Sequence, residues 1–164
     1  MKNRLIIIPA EAYNQSIVRL IQNTTETPVC YTSLNKTYPA MLQLLKENKI
    51  NAEKYYFIDF VSPTIFKTKK EKRCIYLKSL DLNELAETLI NLTMDKKIKA
   101  QIFDSISSLL VYKTEAEVVT FFNYVLTFLE KLNVYTTLVC LAEDSDRPSI
   151  KQIMMRVNDV IVKK

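Results

Sequence analysis

The sequence predicts an α/β fold of three layers, with a mostly parallel central sheet and helices on both faces. Two observations lead there. Short apolar runs alternate along the whole chain with segments of helical periodicity, and strands separated by helices are joined by crossovers, which parallel pairing requires. The 164 residues are 48% apolar and 25% charged, enough for one real core, with no internal repeat, low-complexity tract or linker to divide it. The whole of 1–164 is therefore expected to be a single domain.

The elements follow in order. Leu5 to Ile8 is a first strand, and Ile17, Leu20 and Ile21 recur behind it at helical spacing. Val29 to Ser33 is a second strand, entered through the turn "TTETP". Thr37 is placed to cap a helix whose apolar face includes Met41, Leu42, Leu44 and Leu45. "KYYFIDF" (54–60) is aromatic and β-branched, hence a strand. "SPTIFKTKKEKR" (62–73) reads as an exposed excursion and "CIYL" (74–77) as a short strand. "DLNE" from Asp81 has the form of a capping box, opening a helix to about Thr93. "AQIFDSISSLLVY" (100–112) reads as a strand entering a polar turn. "TEAE" from Thr114 is a second capping box and opens the strongest helix, to about Leu132. "YTTLVCLAEDSD" (135–146) is a strand ending in acids. A short helix near 148–156 and a last strand, "DVIVK", close the chain.

The totals exclude whole classes of chemistry. With no His, imidazole metal sites, Ser-His-Asp triads and Cys-His pairs are ruled out. With no Gly, where average usage gives roughly 11, the dinucleotide fingerprint, the intact P-loop and the nucleophile elbow are ruled out as well. Turns are expected to rely on Asn, Asp, Ser and Pro. Cys30, Cys74 and Cys140 form no disulfide or zinc pattern, and Cys30 and Cys140 read as small hydrophobes in apolar runs, which fits a reducing cytoplasm. No run approaches the length of a membrane span. The net charge of +5 does not by itself argue for nucleic acid.

In a sheet of this class, ligands bind beyond the carboxyl ends of the strands. Here those ends are Pro9 to Ser16, Ser33 to Lys36, Asp104 to Ser108 and Glu143 to Asp146. The phosphate-loop template G-x-x-G-x-G-K-[ST] lies over "PAEAYNQS", residues 9–16. Pro9, Ala12 and Asn14 stand at its glycine positions and Gln15 at its lysine, and only Ser16 keeps its residue type. Further on, "QIFDSISSLLV" has apolar residues ending in Asp104 and Ser105. Together with "VCYTSLNK", "VYTTLVCLAED" and "VNDVIVK", in that order, the chain resembles the RecA/KaiC-type branch of P-loop ATPases over essentially its whole length.

That resemblance implies a RecA-like fold with strand order near 5-1-4-3-2, in which Asp104 stands at the Walker B position and Ser16 at the magnesium-binding hydroxyl. The loop departs from the family. Pro9 lacks an N–H, Ala12 and Asn14 carry a Cβ, Gln15 is uncharged and Glu11 adds a negative charge. The family's catalytic acid past the second strand is replaced by Leu34-Asn35-Lys36. Phosphoryl transfer depends on positioning and charge stabilisation, so the expectation is a pseudo-ATPase: a cytoplasmic regulatory or protein-interaction module without a cofactor, which self-associates or pairs with an active paralogue.

Two alternatives stand beside it. One is an atypical ATP-binding protein or ATPase using Ser16 and Asp104, with Mg²⁺ and a cation from a neighbour. The other is a nucleic-acid accessory protein using Lys67, Lys69, Lys70, Lys72 and Arg73. The acids Glu143, Asp144 and Asp146 read as a solvated loop, and Asp104 taken alone as a cap on the 105–108 turn. Helix 115–132 is apolar beyond one stripe, which burial and an oligomer interface together explain.

Overall fold

The structure is a computed structural model that describes residues 3–164. Seven parallel strands form one sheet: β1 (Asn3–Ile8), β2 (Val29–Ser33), β3 (Tyr55–Asp59), β4 (Cys74–Tyr76), β5 (Ala100–Asp104), β6 (Tyr135–Leu141) and β7 (Asp159–Val162). Their order is β4-β3-β2-β5-β6-β1-β7. Counted as the resemblance counts them, β7, β1, β6, β5 and β2 reproduce 5-1-4-3-2, and β3 with β4 extends the sheet beyond β2.

The helices are α1 (Tyr13–Asn23), α2 (Tyr38–Glu47), α3 (Ser62–Ile65), α4 (Leu82–Asp95), α5 (Ile106–Tyr112), α6 (Glu115–Lys131) and α7 (Pro148–Arg156). They cover both faces, because successive strand side chains point to opposite sides. Ile6 and Ile8 pack with Ile17, Leu20, Met41 and Leu45 of α1 and α2. Leu5 and Ile7 join the opposite cluster, with Leu85 and Leu89 of α4, Leu109 of α5, Phe122 and Leu126 of α6 and Ile150 of α7. Phe122 meets Phe103 edge-on, with ring centroids 4.9 Å apart. Cys30 and Cys140 are fully buried in this second cluster, as their apolar runs suggest. Burial pushes the Cys30 thiol up to about 12.

Three local expectations are corrected. Residues 106–112 form a helix, not a polar turn. Ser105, in extended backbone, accepts the Ser108 N–H at 3.2 Å and caps it, while Ile106, Leu109 and Leu110 supply a buried face. At Asp81 only half of the capping box forms. The aspartate accepts the Asn83 and Glu84 N–H groups, whereas the Glu84 carboxylate lies 3.5 Å from the Ser79 hydroxyl. At Thr114 both halves are present.

The third correction concerns how helices end without glycine. Lys49, Lys97 and Asn133 take left-handed backbone, at φ of 57°, 52° and 58°. Each follows a helix whose end closes by a six-residue return, Ile50 N–H to Leu45 O, Ile98 N–H to Thr93 O and Val134 N–H to Leu129 O. Two of these three positions are lysines, not the turn formers expected. The cost of a left-handed β-carbon is roughly 1–2 kcal/mol per residue, and the satisfied carbonyls and the apolar side chain that follows offset it. Among the described residues no helix is long and apolar enough to cross a membrane.

Candidate functional site

Four strand ends converge on the same edge of the sheet. After β1, Pro9 is followed by a single 3-10 turn, Ala10–Ala12, which runs directly into α1. The Ala12 N–H donates to Pro9 O at 3.0 Å and the Tyr13 N–H donates to Ala10 O. None of residues 9–16 has a positive φ. A phosphate nest alternates right- and left-handed residues so that successive N–H groups point into one concavity. Here the Ala12 and Tyr13 amides close a turn instead. Glu11, Asn14 and Gln15 are exposed, and Ser16 lies in the first turn of α1.

Asp104, the last residue of β5, is fully buried. Its Oδ2 accepts hydrogen bonds from the hydroxyls of Tyr13 and Tyr31. The Asn35 amide donates to Asp104 Oδ1 at 3.3 Å and to the Tyr13 oxygen at 2.9 Å. The structure thus brings Tyr13, not Ser16, against Asp104, and the carboxylate is held by other segments and does not cap the 105–108 turn. Ser105 performs that role itself, through its side-chain oxygen.

The electrostatics follow from burial. Desolvation raises the Asp104 carboxyl above its usual range, and the donors Tyr13, Tyr31 and Asn35, with Lys36 nearby, offset only part of that rise. Burial, then the charge of Asp104, pushes both tyrosine hydroxyls upward, so they remain protonated donors. Lys36 reaches back to the first loop, its Nζ 2.8 Å from Asn14 Oδ1 and 5.5 Å from the Tyr13 ring centroid. A cation therefore stands beside the loop although the template's lysine position is Gln15.

A pocket of about 330 Å³ adjoins this cluster, walled by Leu34, Phe60, Val61, Val111 and Tyr112, with Asn35 shared between the two. Val111 and Tyr112 are 76% and 65% exposed, an apolar lip at the mouth of the pocket. At the end of β3, Asp59 is also fully buried. It accepts the N–H groups of Tyr38, Val61 and Ser62 at 2.7, 2.7 and 2.9 Å, and the Ser62 hydroxyl at 2.5 Å.

The remaining candidates stand apart. Lys67, Lys69, Lys70 and Lys72 are exposed, but Arg73 is docked, donating to Glu53 O at 2.6 Å and lying 5.0 Å from the Tyr56 ring centroid. The excursion 62–73 is thus not exposed throughout: it opens with α3, whose Ser62 is buried. Of the acids after β6, Asp144 and Asp146 pair with Arg147 and Lys151 at 3.5 and 3.4 Å. Among the described residues no group of His, Cys, Asp and Glu is placed to hold a metal ion.

Sequence reasoning missed Tyr13, Tyr31, Lys36 and Asp59 as site residues, and treated Asn35 only as a place where an acid is lacking. A positional signal was present for three of these residues, since Tyr13, Asn35 and Lys36 lie in strand ends already marked. Tyr13 and Tyr31 read as ordinary aromatics until the fold sets their direction.

No family model matches the sequence, and no curated protein matches it either. Solved structures do. The KaiC-like protein PH0186 of the hyperthermophilic archaeon Pyrococcus horikoshii superposes with a TM-score of 0.72 at 16% identity, covering 98% of this chain and 71% of that one. The uncharacterised protein PH0321 of Pyrococcus horikoshii, solved in complex with an unknown peptide, gives a TM-score of 0.74 at 11% identity, covering 99% and 77%. The fold is therefore RecA/KaiC-like.

Proposed function

We propose that this chain is a non-catalytic RecA/KaiC-like module, a pseudo-ATPase that works through protein contacts. The observation that carries the reading is the occupation of Asp104. In a working site of this fold the carboxylate at that position serves a Mg²⁺ ion bound to phosphates. Here it accepts two tyrosine hydroxyls and an amide, one hydroxyl coming from the phosphate loop itself. The loop supports the reading independently, because its Ala12 and Tyr13 amides close a turn and no glycine is present to open it. Mg²⁺ relies on substrate phosphates to complete its shell, so a loop that does not grip phosphate leaves the ion poorly held.

The partner is expected to be polypeptide. The neighbour PH0321 was solved with a peptide, and here the strand-end pocket with its exposed Val111 and Tyr112 offers an apolar anchor point for one. A second reading, an atypical nucleotide binder, is favoured by Lys36, whose ammonium stands at Asn14 where an anion would need it.

Thermal unfolding with and without millimolar ATP and Mg²⁺ separates them, since a ligand bound only by the folded state must raise the midpoint. The proposed function is supported by an unmoved midpoint. A rise of several degrees that Lys36→Ala abolishes supports the second reading and rejects the first.

A further inference from the structure

A groove of about 1110 Å³ runs between α4 and α6. Ala86, Ile90 and Phe121 form its buried floor, and Tyr124 and Phe128, 52% and 37% exposed, stand along one side. Its size exceeds the roughly 300–1,000 Å³ typical of small-molecule sites, which suits a polypeptide segment. The rim is acidic. Asp81, Glu87 and Glu117 line the groove against a single cation, Lys113, and Glu84 is exposed one turn before Glu87. Asp81 and Glu117 also cap helix N-termini, so Glu84 and Glu87 carry most of the outward charge.

The same chain carries the complementary surface on a different element. At the end of α3, Ile65 and Phe66 are 65% and 43% exposed. Directly after them Lys67, Lys69, Lys70 and Lys72 are exposed, with Glu71 the one acid among them. This is an apolar tip followed by a cationic stretch. The groove presents the inverse, an apolar floor under a carboxylate rim.

We propose that the Ile65–Lys72 segment of one copy docks in the α4/α6 groove of a second copy. Ile65 and Phe66 would enter between Ile90 and Phe128, and the lysines would face Glu84 and Glu87. The two surfaces differ, so the contact is head-to-tail and leaves a groove and a segment unused at the ends, which allows assembly beyond a dimer. The inference rests on the reading that the domain works through protein contacts, and names the partner as a second copy. It is independent of the state of Asp104.

The test is sedimentation velocity of the full chain over a range of concentrations at low and at physiological salt. The expected result is an average mass that rises with concentration past that of a dimer and falls with added salt. Glu84→Lys with Glu87→Lys, or Lys69→Glu with Lys70→Glu, should each weaken association about tenfold or more by placing like charges together. An equimolar mixture of the two variants should regain it, because each reversed groove then meets a reversed segment. That recovery also shows both variants to be folded. A chain monomeric at every concentration overturns the contact, as do association indifferent to both reversals and a mixture that fails to recover. So does RNA or DNA binding lost in the Lys69/Lys70 variant at unchanged mass. Since ATP binding is read separately, a monomeric chain that also ignores ATP sinks this contact and leaves the non-catalytic reading standing.

Discussion

Two aspartates end strands on either side of β2, and both are fully buried. Asp59 is held mainly by main-chain N–H groups, two from the two residues after Phe60 and one from Tyr38 at the start of α2. Asp104 is held by side chains from other segments, Tyr13, Tyr31 and Asn35. The first arrangement is a fold device: it ties the β3 turn to a neighbouring helix. The second does little for local backbone. It ties the start of α1, strand β2 and the loop after β2 to the end of β5. Burial alone does not tell these roles apart, whereas the kind of donor does.

The comparison can be broken by substitution. The largest effect is expected at Asp59. Asp59→Ala strands three N–H groups and a hydroxyl in the interior, and should cost about 3 kcal/mol or more of unfolding free energy, measured by urea titration. If it costs less than Tyr31→Phe, the assignment of roles is reversed. Tyr31→Phe removes one donor from a buried carboxylate and should cost about 1–2 kcal/mol. Tyr13→Phe is expected to cost about 1 kcal/mol or less, since Tyr13 is only partly buried.

Asp104 gives a sharper signature in pH than in size. Burial holds its folded carboxyl above the usual aspartate range, which opens a pH window between the unfolded and the folded group. As pH rises through that window the unfolded chain releases the proton first, so stability falls with rising pH until the folded carboxyl also ionises, and is flat beyond. Asp104→Asn should remove this fall, and Tyr13→Phe should extend it to higher pH by removing a donor that favours the ionised form. Urea midpoints taken across the acid range read both. A variant Asp104→Asn that keeps the wild-type slope would assign the slope to other carboxylates.

Much of the fold was legible because it is written in local patterns. Each of the seven strands lies on an apolar run, and Thr37, Asp81 and Thr114 cap the helices that follow them. What failed was also local in part. The serines of 105–108 suggest a turn, yet one of them caps a helix, and the chemistry of a cap and of a turn is the same. Lys49 and Lys97 at left-handed positions give no compositional warning. At the candidate site, Asp104 and loop 9–16 could be marked from the phosphate-loop template and the family resemblance. The hydrogen-bond cluster on Asp104 could not, because it joins residues 91 and 73 positions apart, Tyr13 and Tyr31 each with Asp104. Only the sheet order and the pitch of α1 set those side chains against one carboxylate.

The central claim is that Asp104 and loop 9–16 no longer serve a nucleotide. Isothermal titration calorimetry of the wild-type chain with ATP, with and without Mg²⁺, tests it most directly. The expected result is no saturable heat up to millimolar ATP in either condition. A saturable, Mg²⁺-dependent isotherm lost in Asp104→Asn would contradict the account, since it would mean that Tyr13 and Tyr31 give way to an ion.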